Sequence, residues 1–297
     1  MEIENQEFDE ERALYNSQNV IARNCRFDGP ADGESAFKES RDIVAEHCYF
    51  NLRYPFWHNN DTTIVNCEMT DTCRAALWYS KNIIIQSSEL HGIKAVRECS
   101  NVFINECDIV SPEFGWSTNK LAIKNSSATS EYFLMNTNRV IIENLKLSGK
   151  YSFQYMRNST VADSELDTKD AFWHAKNVTV KNCNINGEYI GWYSKNLTFE
   201  NCTISGTQPF CYCKNLRLIN CRLDNADLAF EKSSVKATLL APVISIKNPA
   251  SGKIVLPKAG DDEALNKIIN TENGKCKIIL GTLRYAVPEL VEGQGPQ

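Results

Sequence analysis

No apolar run in the 297-residue chain approaches the roughly 18 residues needed to cross a bilayer, so no membrane span is expected. Neither charge dominates: 32 Lys and Arg face 37 Asp and Glu, a net charge of −5. With that balance no nucleic-acid-binding stripe is expected. The opening segment MEIENQEFDEERALY is acidic and lacks the basic and apolar regions of a secretory signal, so the expected location is cytoplasmic. There is no P-loop, GxGxxG, HExxH or nucleophile elbow, and neither a cofactor nor a metal ion is expected.

What the chain does have is a repeat. Ile83, Val102, Leu121, Val140, Ser159, Val178, Leu197 and Leu216 each open an equivalent segment, 19 residues apart. Extended backwards, the series reaches Thr62, Ile43 and Val20, giving about eleven coils over roughly residues 17–234. A fixed period of this length marks a solenoid. Two residues after each anchor lies an aliphatic column from Ala22 through Ile85 and Ile142 to Leu218, and seven after it another from Phe27 through Leu90 to Leu223. These are the inward rows of short period-two strands. A third strand precedes the anchor, as in AALWYS and YIGWYS. The fold class is therefore all-β, a right-handed parallel β-helix solenoid with capped ends.

The column four residues after the anchor is rich in Asn (Asn24, Asn66, Asn125, Asn144, Asn182, Asn201, Asn220), a residue suited to a left-handed bend and to amide ladders. Seven of the twelve cysteines (Cys25, Cys48, Cys67, Cys107, Cys183, Cys202, Cys221) share the next column with serines. This is expected to be a buried thiol ladder rather than a set of disulfides or metal ligands. Cys211-x-Cys213 lacks the second pair that a zinc site needs. Residues 1–16 are expected to form an N-terminal cap and 235–285 a C-terminal β cap in which DDEALNKIIN makes a short helix. Residues 286–297 are expected to be a disordered tail.

Five positions before the anchor the column reads Lys38, Trp57, Trp78, Arg97, Trp116, Met135, Gln154, Trp173, Trp192, Cys211, and it contains all five tryptophans. The apolar column before it points inward, so alternation sends the indoles outward. Arg97 should then lie between Trp78 and Trp116 in a cation–π arrangement. The following column, with His58, Tyr79, Glu98, Tyr155, His174 and Tyr193, should face inward under strict alternation, yet its polarity argues for a bend.

Outward indoles can receive the apolar faces of sugar rings, so Trp57, Trp78, Trp116, Trp173 and Trp192 are candidate substrate-binding residues, with Arg53, Glu34 and His174 beside them. The partner this suggests is an oligo- or polysaccharide. The candidate catalytic groups are Glu98, Arg97, Arg74 and His58, for glycoside hydrolysis or polysaccharide elimination, with Glu113 and Lys94 as further acid and cation. The alternative is a non-catalytic scaffold or homo-oligomer that uses the aromatic face as an interface.

The segments EERALYNSQNV, GESAFKESRDI, RYPFWH, RAALWYSKNI, KDAFWHAKNVTVKNC, GEYIGWYSKNLTFENCTI and SIKNPASGKI resemble a bacterial family of single-domain proteins over roughly residues 7–257. That family is known as a domain of unknown function with a pectate-lyase-like right-handed β-helix fold. The resemblance implies the architecture and assigns no reaction. The chain departs from pectate lyases and polygalacturonases in lacking an evident Asp-rich calcium or catalytic cluster.

Overall fold

Left-handed backbone corners define each coil. The computed structural model describes residues 1–29 and 34–281. In the eleven coils of the repeat, four columns hold positive φ throughout: eight, four and one residue before the anchor, and four after it. Tyr54, His58, Asp61 and Asn66 illustrate one coil, at φ of 55°, 60°, 56° and 51°. Asn and Asp supply many of these corners because their short polar side chains tolerate the left-handed region.

Between the corners run short strands. A six-residue strand such as Lys81–Gln86 carries the anchor, and a second such as Glu89–Leu90 follows the Asn corner. The long strands stack in parallel: Ile83 pairs with Thr62 on one side and Val102 on the other. Around the tryptophans, Leu77–Trp78 and Val96–Arg97 form a small separate parallel pair.

Anchor and anchor-plus-two residues are buried on every long strand, as the alternation requires. Fully buried Phe rings stack from coil to coil: Phe27 on Phe50 at 4.9 Å, Phe37 on Phe56 at 5.4 Å, Phe153 on Phe172 at 4.7 Å. Each such ring removed from water contributes about 1.5–3 kcal/mol. The expected cysteine ladder is present as free, buried thiols. Cys48 Sγ donates to the Ala22 carbonyl at 3.4 Å, and the same contact recurs between Cys67 and Ala45.

The solenoid is longer than the repeat implies, with about 14 turns instead of eleven. Glu2–Glu4 and Glu7–Phe8 pair in parallel with the following coil, so the segment expected to be a cap is itself laid down as coil. Ile3 and Phe8 fall in the two inward columns there. At the other end, Ser234–Leu239, Ser251–Leu256 and Lys275–Leu280 continue the sheet. The 19-residue spacing still holds from Leu216 to Val235 and then lapses to 17 and 24 residues, which hid the last turns in the sequence.

The short helix expected at DDEALNKIIN does not form. Turns lead into the strand Lys267–Ile269, which pairs with Ser245–Lys247. Asn266 sits at φ 55°, and its amide donates to the Pro257 carbonyl and accepts from the Val243 N–H. A helix so short is marginal in water, and these tertiary bonds outweigh it. The expected disordered tail, 286–297, lies outside the described residues.

Candidate functional site

The tryptophan side of the solenoid carries two adjacent columns. The corner four residues before the anchor is left-handed in every repeat coil, which settles the ambiguous column: its side chains do not turn inward but stand out at the corner. Tyr79, Tyr155 and Tyr193 are 40%, 44% and 46% exposed, and His58 and His174 are exposed as well. The tryptophans, one residue earlier, point outward as expected but are half-buried.

Ring orientation decides what this face can do. Trp57 lies between the Lys38 ammonium, 4.5 Å from its centroid, and Trp78, 6.0 Å away. The Arg97 guanidinium carbon is 5.4 Å from the Trp78 ring and 5.2 Å from that of Trp116, the sandwich anticipated from the repeat. Farther along, Trp173 and Trp192 stack at 5.4 Å with planes 4° apart. Many indole faces are thus occupied by column neighbours, and the expectation that they lie open to sugar rings is corrected. Their edges are tied down too. Nε1 of Trp116, Trp173 and Trp192 donates to the carbonyls of Tyr132, Tyr189 and Gln208, each at 2.7 Å and sixteen residues on. Nε1 of Trp57 and Trp78 is buried without a hydrogen bond, a cost of about 1–3 kcal/mol each.

The exposed corner column is a second ring ladder. Tyr155, His174, Tyr193 and Tyr212 stack with centroids 4.9, 5.1 and 4.8 Å apart and planes within 10°. Stacked rings turn their edges outward, so this row presents phenol hydroxyls and an imidazole. His58 and Tyr79 repeat the motif nearer the N-terminus, 5.1 Å apart but tilted by 52°. The sequence placed Tyr155, Tyr193 and Tyr212 in one column with His174, but only His174 was named from it as a binding residue.

The candidate catalytic groups separate. Arg97 Nε lies 3.3 Å from Glu98, and its Nη1 3.8 Å from Glu113, which also meets Lys94 Nζ at 3.4 Å. Glu34 and Arg53 pair across adjacent coils at 3.5 Å. Arg74 is exposed and belongs to the coil before Arg97, while His58 stands against Trp57 and Tyr79, two coils from Glu98. Glu98 and Glu113 are each opposite a cation. Burial pushes the Asp170 carboxyl above its ordinary range, against the opposing effect of Lys169. No sequence signal marked that group. Among the described residues no cluster of three or more His, Cys, Asp or Glu could hold a metal ion.

No curated protein matches the chain. Solved structures similar to it include PfbA, a surface adhesin of Streptococcus pneumoniae, at 10% identity and TM-score 0.45, covering 87% of each chain. The A-module of the Azotobacter vinelandii mannuronan C-5 epimerase AlgE6 is similar at 8% identity and TM-score 0.33, over 95% of this chain and 89% of that one. The catalytic domain of a GH87 alpha-1,3-glucanase in complex with nigerose is similar at 12% identity and TM-score 0.34, over 79% and 57%. Residues 1–279 match the family described as protein of unknown function (DUF3737), and the chain belongs to that family.

Proposed function

We propose that the protein binds an extended glycan lying lengthwise along the exposed corner column, with the half-buried tryptophans as its rigid backing. The observation that carries this reading is the row Tyr155, His174, Tyr193 and Tyr212, whose rings repeat every 4.8–5.1 Å. That interval follows from the spacing of paired strands and is close to the rise of one pyranose residue in an extended chain. One hydroxyl or imidazole edge is thereby offered per sugar, and stacking holds each at low entropic cost. His58, Tyr79 and the exposed Arg74 extend the row toward the N-terminus and offer a cation for a carboxylated sugar.

Binding is favoured over turnover because Glu98 and Glu113 are opposite Arg97 and Lys94. We place the protein in the cytoplasm as part of the same proposal, and its twelve free thiols suit a reducing compartment. Cell fractionation that finds it outside would overturn that part.

Titration of intrinsic tryptophan fluorescence against neutral and acidic oligosaccharides tests the binding. Saturable quenching that Tyr193→Ala and His174→Ala each weaken at least about tenfold is expected. No response to any glycan in the panel refutes the proposal. Analysis of the incubated sugars for new reducing or unsaturated ends then separates binding from cleavage, and appearance of either would return Glu98 and Arg97 to a catalytic role.

A further inference from the structure

Away from the tryptophan side, the long-strand sheet carries an uncovered apolar row. One residue after the anchor, six successive coils present Val44, Thr63, Ile84, Phe103, Ala122 and Ile141 on the outer face. Ile84, Phe103 and Ile141 are 44%, 36% and 50% exposed. In the coil before Val44 the column holds the half-buried Ile21, and beyond Ile141 it turns polar, through Thr160, Thr179 and Thr198 to Arg217. A contiguous apolar strip of this kind on an otherwise polar surface marks a binding face.

The neighbouring exposed column says what fits it. In the same six coils it reads Asp42, Asp61, Asn82, Asn101, Lys120, Arg139, acidic at one end and basic at the other. Among the described residues Lys120 and Arg139 make no ion pair. A surface whose charge reverses about its own midpoint is complementary to itself under a two-fold axis that runs along the strands and inverts the solenoid. That operation sets Asp61 opposite Lys120 of the second copy, Asp42 opposite Arg139, and Asn82 opposite Asn101. The apolar row obeys it as well: Ile84 meets Phe103, Thr63 meets Ala122, and Val44 meets Ile141.

We propose that this face binds a second copy of the chain, the two solenoids packing antiparallel through the Val44 to Ile141 row. Six coils by a six-residue strand offer roughly 550 Å² per protomer, about 1,100 Å² in all, near the lower limit for a specific complex. The dimer is accordingly reversible, and the aromatic side stays free for the ligand proposed above, on which this inference does not rest.

Sedimentation equilibrium of the full chain from about 1 to 200 µM tests it, because that range brackets an interface of this size. A monomer–dimer equilibrium is expected, with Phe103→Glu raising the dissociation constant at least about tenfold. Asp61→Lys and Lys120→Asp are exposed changes that leave the fold intact. Each alone should weaken association about fivefold, and the double variant should return to within about twofold of the parent. A monomer at every concentration overturns the proposal. So does a dimer indifferent to Phe103→Glu, or a double variant no better than the singles, since only antiparallel pairing joins those two positions.

Discussion

Replacing Arg97 by Met keeps the length of the side chain and removes its charge, which separates the two reasons it could matter in the tryptophan ladder. The guanidinium lies 5.4 Å from Trp78 and 5.2 Å from Trp116. At this partly exposed site each contact is worth about 0.5–1 kcal/mol. The ion pairs to Glu98 and Glu113 involve side chains 23–33% exposed and together contribute under about 1 kcal/mol. Against these stands Nη1, buried without a hydrogen bond. A thioether between two indoles also restores part of the loss, about 0.3–1.5 kcal/mol. Arg97→Met should therefore cost about 1 kcal/mol. Arg97→Ala, which removes the packed stem as well and leaves a gap between rings, should cost about 2–3 kcal/mol. Urea unfolding followed by tryptophan fluorescence reads both as shifts of midpoint at constant slope. A Trp78→Leu double-mutant cycle isolates the pair. An Arg97→Ala protein within about 0.5 kcal/mol of the parent, or a Met variant more stable than it, would show that the cation does not hold the ladder together.

Four further tests bear on the coil itself. A Cβ on Gly149 would come within 1.8 Å of the Ser130 carbonyl oxygen in the preceding coil, so Gly149→Ala should lose about 2–3 kcal/mol in the same urea assay. Asn182 sits at φ 51° and its amide donates to Asp163 at 2.9 Å. Asn182→Gly keeps the corner and loses the amide bond, while Asn182→Ala loses both, so the Ala variant should unfold at lower urea than the Gly variant. Burial pushes the Cys73 and Cys99 thiols up to about 12, above the ordinary value of 9.0. The unfolded chain then releases those protons first, so their contribution is intact below pH 9 and is lost as pH rises from there toward 12. Melting temperature should fall over that window, less steeply in a Cys73→Ser/Cys99→Ser variant, and an identical slope would contradict the account. A disulfide-exchange reagent at neutral pH should label the partly exposed Cys276 readily and the eleven buried thiols only after denaturation.

Much of the architecture was legible because a solenoid writes its cross-section into every repeat. The inward columns, the Asn corner, the thiol ladder and the placement of Arg97 between two indoles all follow from a 19-residue step and the alternation of a strand. The terminal turns were not legible. Beyond Val235 the step lapses to 17 and then 24 residues, and pairing with an existing edge, as Lys275–Leu280 does with Ser251–Leu256, replaces the periodic signal, whereas the N-terminal turn keeps the 19-residue step from Ile3 to Ala22 in strands only three and two residues long. The helix expected near Asn266 failed for the related reason that local propensity was overruled by bonds to Pro257 and Val243.

The candidate site divides along the same line. The order of residues along the chain determined which side chains share a column, and so which rings, thiols and amides become neighbours at the coil spacing. Only the tertiary structure decided how those columns are turned. The polarity of the column four residues before the anchor pointed to a bend, but only the structure showed that a left-handed residue there swings His174 and Tyr193 into solvent while stacking closes many of the indole faces. Alternation between two inward columns already turned Ile84, Phe103 and Ile141 outward, and only the structure showed that no part of the described chain covers them.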